Sequence, residues 1–312
     1  MTLRPESTPE PLREPTQALP PTPRAVVVTA VPAHRARATL LVDLLADDSP
    51  RVTAAVRQAL SRMGRTAEGA LRRARNTGPA RLRGRARQFL LEQARRRCVR
   101  RLVRHAAGGV PNLERALFLL DAYGVPGEDL RGHVRVLDEF GNRLRERLGR
   151  AVPGRGARAL VDYLAGEVGF AGCSREFHHP DNIYMHRVIE RREGLPLTLC
   201  AIYAGVARRV GLEVGLLPFP GHVLLAVTEN GERTIIDPFG GGKFLSHSQC
   251  LRYLARQRIP YRAEYFRSAP DGDMFVRHVA NLIQSLRVRK RGSEAADLKL
   301  VQRAYSMGGR RG

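Results

Sequence analysis

The sequence predicts an α+β protein in which a long helical block feeds a small antiparallel sheet. Three observations carry this. Apolar residues recur at three- and four-residue steps up to about Arg209. Beyond Gly211 the period shortens to alternation in Glu213 to Pro218, Val223 to Thr228 and Thr234 to Ile236. Between the last two runs stands Asn230-Gly231, the dipeptide that best fits a two-residue hairpin turn. With 312 residues, 43% of them hydrophobic and 27% charged, the chain can bury a substantial core, which excludes collagenous and wholly disordered classes.

Residues 1–35 hold eight prolines and few large apolar residues, so a disordered tail is expected there. From 36 to 107 the pattern predicts short helices packed as hairpins. The clearest is introduced by Asp47-Asp48-Ser49-Pro50, continues through Val56, Leu60 and Met63, and stops at Gly64. Gly108-Gly109 and Pro111 mark a boundary. Helices are then predicted over Asn112–Tyr123, Asp129–Leu148 and Ala157–Val168, with a loop at Val152–Gly156. A helix-loop-helix follows, its second helix entered through Pro196. After the alternating runs, Ser246–Ala255 and Met274–Val288 read as further helices, the first started by a serine cap. The aspartate-proline helix start within 36–107 resembles HEAT-type repeats.

The formal net charge is +23, and its placement matters more than its size. Residues 51–110 hold 17 arginines and two glutamates, +15 of that excess. Arg97, Arg100, Arg101 and Arg104 share one helical face, which can track phosphates by charge alone. The opposite reading is compositional: 50 of the 53 basic residues are arginine, and lysine occurs only at Lys243, Lys290 and Lys299. Weak, non-specific nucleic-acid binding is therefore the most this face implies. No apolar run approaches the roughly 20 residues of a membrane span, and the first 24 residues lack a signal-peptide core, so a cytoplasmic protein without membrane association is expected. Its four cysteines, Cys98, Cys173, Cys200 and Cys250, are scattered and suggest neither disulfides nor a zinc knuckle. His178, His179 and His186 cluster near Asp181 without metal-ligand spacing and read as a solvated loop; no metal or cofactor is expected. Gly240-Gly241-Gly242-Lys243 lacks the spacing of a phosphate-binding loop and reads as a flexible turn.

Several ordered motifs carry a family resemblance. They are the loop Pro180-Asp181-Asn182, then Gly194-Leu195-Pro196, Arg208-Arg209-Val210-Gly211, Pro220-Gly221-His222 and Ile236-Asp237-Pro238-Phe239 with glycines after it. Over about residues 111–268 the chain resembles the SirB-one family, a bacterial branch of the transglutaminase-like superfamily. The resemblance implies a papain-like helix-plus-sheet domain at 111–268, behind the arginine-rich helical segment 36–107. It also implies that 269–312 is the remnant of a tetratricopeptide-like region. Active members of the superfamily set a cysteine at a helix N-terminus against a histidine and an aspartate on adjacent strands.

That arrangement has a chemical reason: an imidazolium and the helix N-terminus favour thiolate, and a carboxylate fixes the imidazole tautomer. His222 and Asp237 stand on either side of the Asn230-Gly231 hairpin, where antiparallel pairing brings them together. Cys200 completes the candidate set, though it falls about one turn deeper in its helix than the resemblance places a nucleophile. Pro196 to Thr198 occupy that place, and Thr198 offers a hydroxyl there. Two readings of Cys200 follow: a nucleophile, or a small buried hydrophobe. The expectation is a non-catalytic or weakly catalytic domain serving interaction with a protein partner. The alternative is a thiol hydrolase or acyltransferase using Cys200, His222 and Asp237.

Overall fold

A computed structural model describes residues 31–149 and 154–308. The expected tail lies outside the described residues up to position 30, and its last five residues open α1 (Val31–Asp43) instead. Pro32 falls in the first turn of that helix, where the missing N–H costs nothing. Three further helices follow: α2 (Pro50–Met63), α3 (Arg65–Thr77) and α4 (Ala80–Ala107). The Ser49 hydroxyl caps α2 and Gly64 ends it at φ 56°. The expectation of short helices fails at α4, which runs 28 residues unbroken. Its only glycine, Gly84, is exposed and costs about 1 kcal/mol, too little to end a helix.

Helix α4 joins two cores. Its first half gives Leu82, Ala86 and Phe89 to a cluster with Val56, Leu60 and Leu71 from the preceding helices. Its second half gives Val99, Leu102 and Ala106 to the main core. That main core also takes Met274, Phe275 and Leu282 from α11 (Asp271–Val288) and Leu298 and Val301 from α12 (Gly292–Gly308). Neither the 107/111 boundary nor the one at 268 therefore coincides with a break in packing. The C-terminal segment holds a second helix, α12, beyond the one expected at Met274–Val288. α12 closes against α4, where Arg95 lies 3.7 Å from Glu294, and the Tyr123 hydroxyl donates to Asp297 Oδ2 at 3.2 Å.

Around this lie α5 (Leu113–Gly124), α6 (Arg131–Leu148), α7 (Gly156–Val161), α8 (Met185–Arg191) and α9 (Pro196–Arg209). Asn112 caps α5 by accepting from the Arg115 N–H. The single helix expected at Ala157–Val168 is α7 followed by a π-helical turn over Asp162–Glu167. The α7 start is held by Glu229, whose carboxylate accepts from the Gly156 and Ala157 N–H groups at 2.7 and 2.8 Å. Part of the loop expected at Val152–Gly156 lies outside the described residues.

Helix α9 is the axis of the domain, buried from Pro196 to Ala207. Gly205 lets α5 approach so closely that a side chain there would meet Glu114. At its C-terminus Arg209 binds Glu114 of α5 at 2.6 and 2.8 Å and Asp138 of α6 at 2.8 Å, fastening three helices together. Such a charge also suits the negative end of the helix dipole.

The sheet is antiparallel in the order β3 (Glu213–Leu217), β4 (Leu224–Glu229), β5 (Glu232–Asp237), β6 (Lys243–Leu245), after a two-residue parallel pair β1 (Ala171–Gly172) and β2 (Glu193–Gly194). Asn230 and Gly231 take φ 53° and 81°, the left-handed pair that a tight hairpin requires. Alternation decides the two faces: Leu225 and Val227 of β4 pack on the α9 side, while Leu224 and Ala226 pack with Cys250 and Leu254 of α10 (His247–Arg256). Helix α10 carries a complete capping box between Ser246 and Gln249. The glycines at 240–242 form a tight turn into β6, a strand too short to show in the sequence pattern.

Candidate functional site

His222 sits just before β4 and Asp237 at the end of β5. Leu225 pairs with Ile236, so the entry to β4 lies beside the end of β5. His222 Nε2 is 2.8 Å from Asp237 Oδ1. Asp237 also accepts the Gly240 N–H at 3.0 Å, and its carboxylate lies so near Gly240 that a Cβ there would sit 2.6 Å from Oδ2. Burial would raise the Asp237 pKa, but the His222 contact and the Gly240 and Phe239 N–H groups outweigh it and hold the carboxyl below its ordinary range. An ionised Asp237 can only accept, so Nε2 is the nitrogen that donates to it, and Nδ1 is the ring nitrogen turned away from the carboxylate. The Phe239 ring meets the imidazole edge-on at 5.7 Å.

The turn that presents His222 is tied down from behind. Gly221 takes φ 67°, and the His222 N–H donates to the Phe219 carbonyl at 3.1 Å. Arg277 of α11 donates to the carbonyls of both Phe219 and His222, at 3.0 and 2.7 Å. Arg277 was invisible as a site residue because it comes 55 positions after His222 on an ordinary amphipathic helix.

His222 and Asp237 line a cavity of about 260 Å³ with Phe219, Leu224, Leu245, Gln249, Cys250 and Tyr253. Cys250 is thus the thiol that faces this cavity, and the sequence reading passed over it. The signal available was its place four residues into a serine-capped helix, which says nothing of what the helix packs against.

Cys200 is fully buried in α9, and its thiol donates to the Val223 carbonyl at 3.3 Å. Burial pushes its pKa well up, the Asp237 charge adds to this, and Arg277 opposes it. Burial likewise raises Cys250, again with help from Asp237. Thr198 is buried too, with its hydroxyl 3.2 Å from the Ile183 carbonyl and 3.4 Å from that of Asn182. Pro196 occupies the first turn of α9. The structure thus places His222 and Asp237 together at a cavity and Cys200 immediately beneath, directed at the backbone next to His222.

The histidine cluster resolves differently from its expected solvated loop. His178 is exposed and His179 accepts the Asp181 N–H, but His186 is buried in α8 with Nδ1 3.0 Å from Asp121 Oδ2. Asp121 comes from α5, 65 positions earlier, so no local pattern announces the pairing. Among the described residues no group of three or more His, Cys, Asp or Glu is placed to hold a metal ion. Likewise no described helix is long and apolar enough to cross a membrane.

Residues 133–280 match the model of the transglutaminase-like superfamily, so the chain carries a transglutaminase-like domain. It is 34% identical over 131 residues to a UPF0162 protein of Xylella fastidiosa, which covers 40% of this chain and 46% of that protein. A UPF0162 protein of Pseudomonas aeruginosa is 28% identical over 202 residues, 64% of this chain and 73% of that protein. Human F-box only protein 21 is 32% identical over 109 residues, 32% of this chain and 17% of that protein. The chain thus spans about half the length of the Xylella relative, and no solved structure matches it.

Proposed function

We propose that this protein is a binding module built on a transglutaminase-like domain, in which thiol acyl-transfer chemistry is weak or absent. One observation carries the reading: the Cys200 thiol is sealed in the core and bonded to the Val223 carbonyl, with its pKa raised. A nucleophile must be partly exposed and partly ionised near neutral pH, and burial works against both. The helix start, where backbone N–H groups would stabilise an oxyanion, is filled by Pro196 and two other buried side chains. The experiment is iodoacetamide labelling across pH, read at Cys200 by mass spectrometry. Labelling only upon unfolding supports the module; fast labelling of the folded protein with a midpoint well below about 8.5, moved upward by His222→Ala, sinks it.

The second reading is a thiol hydrolase or acyltransferase using Cys200, His222 and Asp237. The paired His222 and Asp237 at the mouth of a cavity favour it. It requires the Cys200 thiol to give up the Val223 carbonyl and engage His222 Nδ1 instead. Finer assignments accompany the module reading: a SirB-one-type domain, HEAT-like N-terminal helices, a tetratricopeptide-like origin for α11 and α12, and a cytoplasmic location. Motif order supports the first, the aspartate-proline start of α2 the second, and the paired antiparallel helices the third; the location is carried by the shortness of every apolar run in the sequence.

A further inference from the structure

One face of α4 is left without a partner. Leu91, Ala94, Arg97, Arg101 and Arg104 follow at three- and four-residue steps, with Leu90 beside them half-buried against the N-terminal core, and two grooves open along them. The larger, about 810 Å³, lies between α4, α5 and α6 and has Phe118, Leu119 and Val134 in its floor. The smaller, about 340 Å³, lies toward α3 over Leu90, Leu91 and Ala94. They meet at the turn after α5, where Gly127 lines one and Glu128 the other.

The rim is mostly cationic: Arg72 pairs with Glu68 and Arg131 with Asp129, Glu128 adds one more carboxylate, and the other arginines outnumber these acids. Elsewhere Arg57, Arg81, Arg208 and Arg209 are paired with carboxylates. Arg97, Arg101, Arg104 and Arg115 make no ion pair among the described residues. With Arg87 at the far end, the stripe reaches to Arg104, about 26 Å at 1.5 Å per residue. Half-buried apolar floor between unpaired arginines is the complement of one kind of ligand.

We propose that this stripe docks an acidic amphipathic helix from a partner protein, apolar side down into the two grooves and carboxylates against the arginine rim. A phosphate backbone satisfies the arginines but leaves the leucines uncovered, and Phe118 and His105 are the two rings lining the grooves on which bases could stack, too few for a single strand along the stripe. A second copy of this chain is disfavoured by its net charge of +23. The inference rests on the module reading and names its ligand.

The test is fluorescence anisotropy with the full chain at about 0.15 M salt, using a synthetic helix of about 18 residues with leucines on one face and glutamates on the other. Micromolar binding, weakened about tenfold or more by Arg101→Glu with Arg104→Glu while the melting temperature holds, and lost when the peptide leucines become serine, supports the proposal. Absent binding, equal binding of the serine peptide, or tighter binding of a single-stranded RNA of matching length overturns it. Cysteine labelling is read separately: an inert Cys200 with no peptide binding removes only this docking surface, whereas a reactive Cys200 with intact peptide binding removes only the module reading.

Discussion

Two histidine–aspartate pairs stand in this molecule, and their surroundings are opposite. At His186 and Asp121 the side chains are 2% and 1% exposed; the Asp121 oxygens accept the Met185 and His186 backbone N–H groups at 3.0 and 2.7 Å, while Nδ1 of the imidazole lies 3.0 Å away without hydrogen-bond alignment. That carboxylate caps the start of α8 from inside the core. At His222 and Asp237 both side chains are 18% exposed and line an open cavity. The same two residue types thus serve as an internal fastening in one place and stand exposed at a cavity in the other. What separates them is access to a cavity, which pairing distance alone does not report.

The largest expected effect breaks the sealed pair. Asp121→Ala strips two backbone donors of their acceptor and leaves His186 buried without its carboxylate, so unfolding in denaturant should show a loss of roughly 3–5 kcal/mol. A loss below about 1 kcal/mol would mean water replaces the carboxylate and the pair is no fastening.

Next comes a buried histidine that has no carboxylate at all. Burial pushes the His278 pKa down to about 4, slightly opposed by the Ile183 backbone. The folded value lies below the unfolded one, so between about pH 6.5 and 4 the unfolded chain takes up a proton that the native state refuses. Stability should therefore fall as pH drops through this window, by about 3 kcal/mol in all, and His278→Leu should flatten that slope. An unchanged slope would place the proton uptake elsewhere.

The smallest effect is expected at the open pair. His222→Ala should cost about 1 kcal/mol, because solvent at the cavity can replace a half-buried partner. Since the folded Asp237 pKa is held below its unfolded value, the stabilisation this pair supplies is present above about pH 4 and is lost as pH falls through the folded value. The wild type and His222→Ala should then converge at acid pH. If His222→Ala instead matched Asp121→Ala, the two pairs would be equivalent and the contrast would be false.

Much of the fold was legible locally. Ser49, Pro50 and Gly64 bound α2; Asn112 starts α5; Asn230-Gly231 makes the hairpin; and Ser246 starts α10. Each is a contact within a few residues along the chain, so sequence order states it. His222 and Asp237 were legible too, because a two-residue hairpin turns a separation of 15 positions into adjacency.

The remainder depends on contacts between distant segments, and sequence order is silent about those. Asp121 reaches His186 over 65 positions, Arg277 reaches His222 over 55, and α12 closes on α4 from nearly the other end of the chain. Cys200 has the same local setting whether it is a nucleophile or a core residue; its burial against the Val223 carbonyl is set by how β4 lies across α9. Sequence alone determined the helix starts, the hairpin and the pairing of His222 with Asp237, since backbone hydrogen bonding and side-chain period act over a few residues. Tertiary packing decided which histidine is sealed and which faces a cavity, because exclusion of water is a property of the assembled core.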